Sequence, residues 1–203
     1  MKYFILGAIA SGLLLFGCSI IYAYTGTTNL HQIYMIFLVE YKKFYTLQFY
    51  SYGLILGVGL ISVGILFKLG AAPFHMWLPD VYEGVPTSIT AIFAIVPKIA
   101  LLNLLYILST TIFTLKIGYW ENAIIYSALF SIFIGVFGAL YQVKIKRILA
   151  YSAINHVGFL LLSLMSLNTL GLFAMYFYII TYILISITIF SIILSHASRY
   201  SGL

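Results

Sequence analysis

Four nitrogen bases stand in a sequence that offers almost no other polar chemistry: Lys68, Lys98, His75 and His156. Lys98 follows Val85 by 13 positions and precedes Ser109 by 11, with no other charged residue between them. A lysine at the centre of an apolar span costs at least about 2.5–3.5 kcal/mol, and ionisable residues at that depth are by default functional. It is too deep to reach either interface by stretching its alkyl stem. The bland alternative is an ammonium neutralised by a buried structural carboxylate. Lys68 is the seventeenth residue of the 27-residue run Tyr52–Leu78; it is buried if that helix continues and snorkels if the helix ends early. His75 follows Pro73 and would lie two turns beyond Lys68. His156 is ninth in the span Ile148–Leu167. Alone, it reads as a hydrogen-bonded packing residue before it reads as a proton carrier.

Together the four groups imply more than each does singly. An amine that can shed its charge and an imidazole that titrates near neutrality form a pair able to pass protons. A unit charge about 7 Å away at an effective dielectric near 20 contributes about 2.4 kcal/mol. That changes a protonation equilibrium by more than tenfold. Asp80 and Glu83, in Pro79-Asp80-Val81-Tyr82-Glu83-Gly84, are read as sitting in a tight turn, either capping the next helix at its positive end or meeting protons at a channel mouth. No Gly-rich phosphate loop, nucleophile–base constellation or metal-ligand spacing is present. Cys18 is the only cysteine, which excludes a disulfide within the chain, and it reads as packing.

The elements that must position these residues are membrane spans. Of 203 residues, 64% are hydrophobic and 7% charged, against about 25% charged in a soluble domain. Apolar runs of 18 or more residues are long enough to cross about 30 Å of hydrocarbon. The pattern predicts an all-α integral membrane protein of about six helices in a single membrane domain, residues 1–203. The expected spans are 3–24, 52–78, 85–109, 122–143, 148–167 and 170–195. The first is too long for the apolar core of a signal peptide. The stretch His31–Gln48, with Glu40, Lys42 and Lys43, is expected to lie along the surface as an amphipathic helix.

The second run would measure about 40 Å as one helix, so it must tilt, break or overshoot. Pro73 is the expected break, and Pro97 is expected to open the helix before Lys98. Trp77 would mark the interface belt. All four prolines fall between residues 73 and 97, which concentrates irregular backbone on one hairpin. Non-helical backbone at membrane depth is tolerated only beside protein or a wet cavity.

The net charge of +6 is too sparsely distributed for a nucleic-acid stripe and reads as topology bias. Lys2, Lys144, Lys146, Arg147 and Arg199 fall on the side of the termini, and Lys42, Lys43 and Lys116 on the other, which favours both termini inside. The cluster Lys144-Ile145-Lys146-Arg147 reads as a topology anchor with lipid, cardiolipin included, or a protein partner as further possibilities. The abundance of Phe, Tyr and Ile hints at an AT-rich organelle gene.

The stretch from Phe67 to Thr87, with Lys68-Leu69-Gly70-Ala71-Ala72-Pro73-Phe74-His75-Met76-Trp77-Leu78-Pro79-Asp80 at its heart, closely resembles the signature of NADH dehydrogenase (ubiquinone) subunit 2, the antiporter-like membrane subunit of respiratory complex I. Val96-Pro97-Lys98-Ile99-Ala100 and Ile145-Lys146-Arg147 through His156-Val157-Gly158 match in order and spacing. The resemblance covers nearly the whole chain, which looks like the sixth to eleventh spans of a fourteen-helix fold, in a truncated or split form. It implies central proton-transfer roles at Lys68 and Lys98, with His75 between them and His156 on the same hydrophilic axis. A glutamate that pairs with the first lysine, and a terminal lysine of the exit path, belong in that family to spans outside this chain. The implied function is redox-coupled proton translocation in the mitochondrial inner membrane, or a bacterial plasma membrane, as a subunit of NADH:ubiquinone reductase. A structural remnant of the membrane arm is the alternative, and a stand-alone cation/proton antiporter a more distant one. The resemblance places FMN, iron–sulfur clusters and ubiquinone on other subunits and none on this chain. Partners would be other membrane-arm subunits, including chains that complete the flanking helices.

Overall fold

In the computed structural model, residues 2–43, 48–111, 118–166 and 168–200 are described. They form eight helices: α1 (Lys2–Thr25), α2 (Leu30–Lys43), α3 (Gln48–Leu69), α4 (Trp77–Gly84), α5 (Thr87–Thr111), α6 (Gly118–Leu140), α7 (Ile145–Met165) and α8 (Thr169–Tyr200). Five contain apolar stretches long enough to cross a membrane: Tyr3–Thr25, Thr87–Thr111, Trp120–Leu140, Ile145–Met165 and Thr169–His196. Gly53–Leu69 on α3 is apolar but shorter. Lys116 lies outside the described residues, as do the side chains of Lys2, Glu40, Lys42, Lys43 and Arg199.

Helices α3, α5, α8, α7 and α6 close a ring, each packing against the next and α6 returning to α3. Helix α1 lies against α3, and α2 touches α5. In lipid the hydrophobic effect no longer drives helices together, so close packing must. The tightest seams are therefore glycine seams. Gly57 on α3 faces Gly17 of α1, where an added methyl would sit 2.8 Å from a backbone oxygen, and Gly158 on α7 lies against the backbone of α6 in the same way. Large apolar residues such as Phe4, Phe16, Phe133, Phe173 and Phe177 face outward, where lipid would solvate them.

The expected 52–78 run is not one helix, and its break precedes Pro73. Helix α3 stops at Leu69 because Gly70 takes a left-handed φ of 75°, a conformation that is nearly free of steric penalty only for glycine. The Gly70 N–H donates to Phe67 O and the Ala71 N–H to Leu66 O, each at 3.0 Å, the Schellman arrangement that satisfies a helix's last carbonyls. Trp77 is buried, not in an interface belt, and its indole N–H donates to Phe67 O at 2.9 Å. Residues 70–76 form a non-helical segment held by α6. Ser127 Oγ donates to Ala72 O at 2.5 Å and the Ala72 N–H donates to Ser131 Oγ at 2.8 Å. Both polar groups of a buried residue without helical partners are thereby satisfied.

Helix α4 then carries Asp80 and Glu83, which are helical residues and not part of a tight turn. Their ion-pair partners lie at the start of α7. Helix α5 runs unbroken through Pro97. The expected opening at that proline does not occur.

Candidate functional site

The ionisable groups gather where two apolar clusters meet. One centres on Ile65, Leu102, Leu105, Ile124, Val157 and Leu161; the other joins Trp77, Leu78 and Tyr82 of α4 to Ala94, Ala153, Ile154 and Phe190. Lys98 sits one turn from each, between Ala94 and Leu102, as the twelfth of the 25 residues of α5, and is 4% exposed. Its ammonium donates to Tyr182 Oη at 2.9 Å and to Ala153 O at 3.1 Å. It also lies 4.6 Å from the centroid of the Tyr182 ring. Among the described residues no carboxylate pairs with it. The expected alternative of a lysine neutralised by a structural acid is thus not what the structure presents. Two neutral oxygens and a ring face hold the amine.

Tyr182 is the hub of this arrangement. Its hydroxyl donates to Ala94 O at 3.2 Å, next to the carbonyl that Pro97 deprives of its helical donor. Its ring packs 5.1 Å from the His156 imidazole. His156 Nδ1 and Tyr178 Oη are 2.8 Å apart, with donor and acceptor set by the tautomer. Lys98 and Tyr182 thus form one hydrogen-bonded pair and His156 and Tyr178 another, and the two meet through ring packing of Tyr182 on His156.

Lys68 occupies the last turn of α3, where its positive charge faces the negative end of the helix dipole. It is exposed on this chain, but into a crevice of about 580 Å³ lined by α1, α3, α4 and α5. Tyr3, Ser11, Trp77 and Tyr82 line that crevice, and so does Lys98. The structure thus brings Lys68 and Lys98 to one cavity, and His156 to the tyrosines beside Lys98. It does not bring His75 there. His75 is 7% exposed, lines neither this crevice nor the smaller pocket at His156, and its Nδ1 has no hydrogen-bond partner.

Asp80 and Glu83 pair with the basic start of α7. Arg147 Nη2 donates to Asp80 Oδ1 at 3.0 Å, and the Lys144 ammonium bonds Glu83. Arg147 Nε lies 2.6 Å from Glu83 Oε2, within ion-pair distance but off the hydrogen-bonding line. Lys146 donates to Val85 O at 2.7 Å. Cations at a helix N-terminus oppose its dipole, and these two carboxylates offset that repulsion. The Lys144 hydrogen bond, helped by the nearby Arg147 charge, holds the Glu83 carboxyl below its ordinary value.

Sequence reading missed Tyr182, Tyr178, Tyr82, Ser127 and Ser131. Each is a hydroxyl in a chain with 18 tyrosines, and only packing reveals which of them face the lysines. Among the described residues no His, Cys, Asp and Glu cluster could hold a metal ion.

A broken membrane helix, a closed helical ring, a lysine buried at mid-span and a second lysine on the same crevice define a multi-pass membrane protein. The chain belongs to the NADH:quinone oxidoreductase/Mrp antiporter transmembrane family, whose model matches residues 1–202. It is 42% identical over 196 residues to NADH-ubiquinone oxidoreductase chain 2 of Marchantia polymorpha, covering 96% of this chain and 39% of that protein. It is 40% identical over 195 residues to NADH-quinone oxidoreductase subunit N of Paramagnetospirillum magneticum, again covering 96% and 39%. A chain in the solved structure of respiratory complex I from Thermus thermophilus superimposes with a TM-score of 0.71 at 31% identity, covering 95% of this chain and 39% of that one. The chain thus spans about two fifths of the length of these relatives.

Proposed function

We propose that this chain serves as a membrane-arm subunit of a respiratory NADH:quinone oxidoreductase and passes protons through its interior as quinone is reduced. The observation that carries this reading is Lys98, buried at mid-span, held by two neutral oxygens and sharing a crevice with Lys68. A scaffold has no use for a charge placed there at that energetic cost. In the proposed sequence Lys68 and Lys98 store protons in turn, and the change of charge on one alters the loading of the other. His156, coupled to Lys98 through Tyr182, extends the path into α7 and α8. His75, buried within the broken segment, has an indirect part through water. FMN, iron–sulfur clusters and ubiquinone reside on other subunits of such an assembly, and this chain performs no redox step. Its partners are those other subunits. The Marchantia relative supports a mitochondrial inner membrane and the bacterial relatives a plasma membrane; the richness in Phe, Tyr and Ile favours the former.

Replacing Lys98 with Met tests the reading, because Met keeps the stem's bulk and removes the proton. In the assembled complex, proton uptake coupled to NADH oxidation should fall by roughly a hundredfold, the scale set by losing a positioned proton-transfer group. Normal coupled uptake in K98M would leave the chain a structural component of the arm.

A further inference from the structure

Tyr82 is 1% exposed, yet its hydroxyl has no hydrogen-bond partner. Buried phenols ordinarily find one, and an unmet one retains the full penalty of lost hydration. The residue lies on α4 between two cavities and lines both. On one side is the crevice that holds Lys68 and Lys98. On the other is a pocket of about 30 Å³ lined by Ser152, Ser186, His156 and Tyr182. A water needs a polar site with roughly 10–15 Å³ of such volume and two to four polar neighbours. This pocket offers the volume and, with Tyr82, five side chains able to bond water.

We propose that Tyr82 is a proton-relay residue, its hydroxyl joining water in the His156 pocket to the crevice at Lys68. The inference rests on the proton-conducting reading above. In each passage the phenol oxygen accepts a proton from water on one side as its own proton leaves to water on the other. One O–H bond forms, one breaks, and the tyrosine ends neutral. Such a route delivers protons from the His156 pocket to the crevice that Lys68 and Lys98 share. It also gives α4 a reason to be inserted between α1 and α7.

The test is Tyr82→Phe in the assembled complex, measured beside Lys98→Met. Phe fills the same space, so assembly should persist while coupled proton uptake falls roughly tenfold, equivalent to about 1.4 kcal/mol in the barrier. The solvent deuterium isotope effect on uptake should rise, because proton movement through the gap becomes limiting; a merely structural hydroxyl leaves it unchanged. Normal uptake and an unchanged isotope effect in Y82F, with K98M impaired, overturn the Tyr82 relay alone. Normal uptake in K98M overturns the conducting reading beneath it. Should Y82F fail to assemble, the Ser152→Ala/Ser186→Ala pair removes the pocket's two serine hydroxyls without touching α4. The same fall and isotope response are expected there, and normal values overturn the relay.

Discussion

At the scale of single residues, the deciding contact is the bond between Lys98 and Tyr182. Tyr182 offers the ammonium both an oxygen and a ring face, and these two contributions can be separated. Tyr182→Phe removes the oxygen and keeps the ring. Hydrogen bonds to charged groups contribute about 1.5–3 kcal/mol, whereas a desolvated cation–π contact contributes about 2 kcal/mol or more. Y182F should therefore assemble normally and lose part of coupled proton uptake, less than K98M loses. Tyr182→Ala loses both interactions and leaves a cavity worth about 3–5 kcal/mol, so the subunit itself should become unstable. Native-gel assembly together with proton uptake distinguishes the two variants. Uptake in Y182F equal to the wild type would show that the oxygen plays no part in holding the ammonium.

At the scale of elements, the segment 70–76 sets the geometry, and two serines of α6 hold it. Ser131→Ala strips the Ala72 N–H of its acceptor in a buried site, and Ser127→Ala strips the Ala72 carbonyl of its donor. An orphaned buried group costs about 1–3 kcal/mol. Ser62 is an internal control, equally buried but bonded only to Gly59 O of its own helix. S127A and S131A should each lower the thermal stability of the assembled subunit more than S62A does; equal effects would mean that the clamp contributes nothing. The sequence disclosed some of this and hid the rest for physical reasons. Lys98 was legible because a charge in an uninterrupted apolar run can mean little else. The helix break was legible as a break but assigned to Pro73. The glycine that ends α3 stands three residues earlier, and its left-handed turn was written in the Leu-Gly step. Ser127, Ser131 and the tyrosines were illegible, since hydroxyls are frequent on membrane helices and only the packing of one helix on another decides which face inward. Asp80 and Glu83 were read as neighbours of α5 along the chain; their partners are 61–67 positions away, at the N-cap and first turn of α7.

At the scale of the whole molecule, that ionic group ties the inserted hairpin to the far side of the ring at one membrane face. Lys144, Arg147, Asp80 and Glu83 meet on the side to which the charge pattern assigns the termini, so pairing and topology agree. The side chains of the group are 30–67% exposed on this chain, and among exposed charges isolated ion pairs contribute little but networks contribute more. The sign of its pH dependence follows from Glu83. Its folded carboxyl is held below the ordinary value, first by the Lys144 hydrogen bond and then by the Lys144 and Arg147 charges. A carboxylate depressed on folding contributes stability that is fully present above its unfolded value near 4.3 and is lost as pH falls through the folded value. The wild-type subunit should therefore be more heat-stable than Glu83→Gln at pH 7. The gap should persist to about pH 5 and close as the medium is acidified below the ordinary carboxylate range. High salt at pH 7 should narrow it as well, because exposed charges are screened. Thermal denaturation of the assembled complex, followed through this subunit across pH and ionic strength, measures both effects. A gap between wild type and E83Q that is indifferent to both acid and salt would show that Glu83 acts through packing and not through charge, and the tie between α4 and α7 would then have to be ascribed to Tyr82, Trp77 and their apolar neighbours.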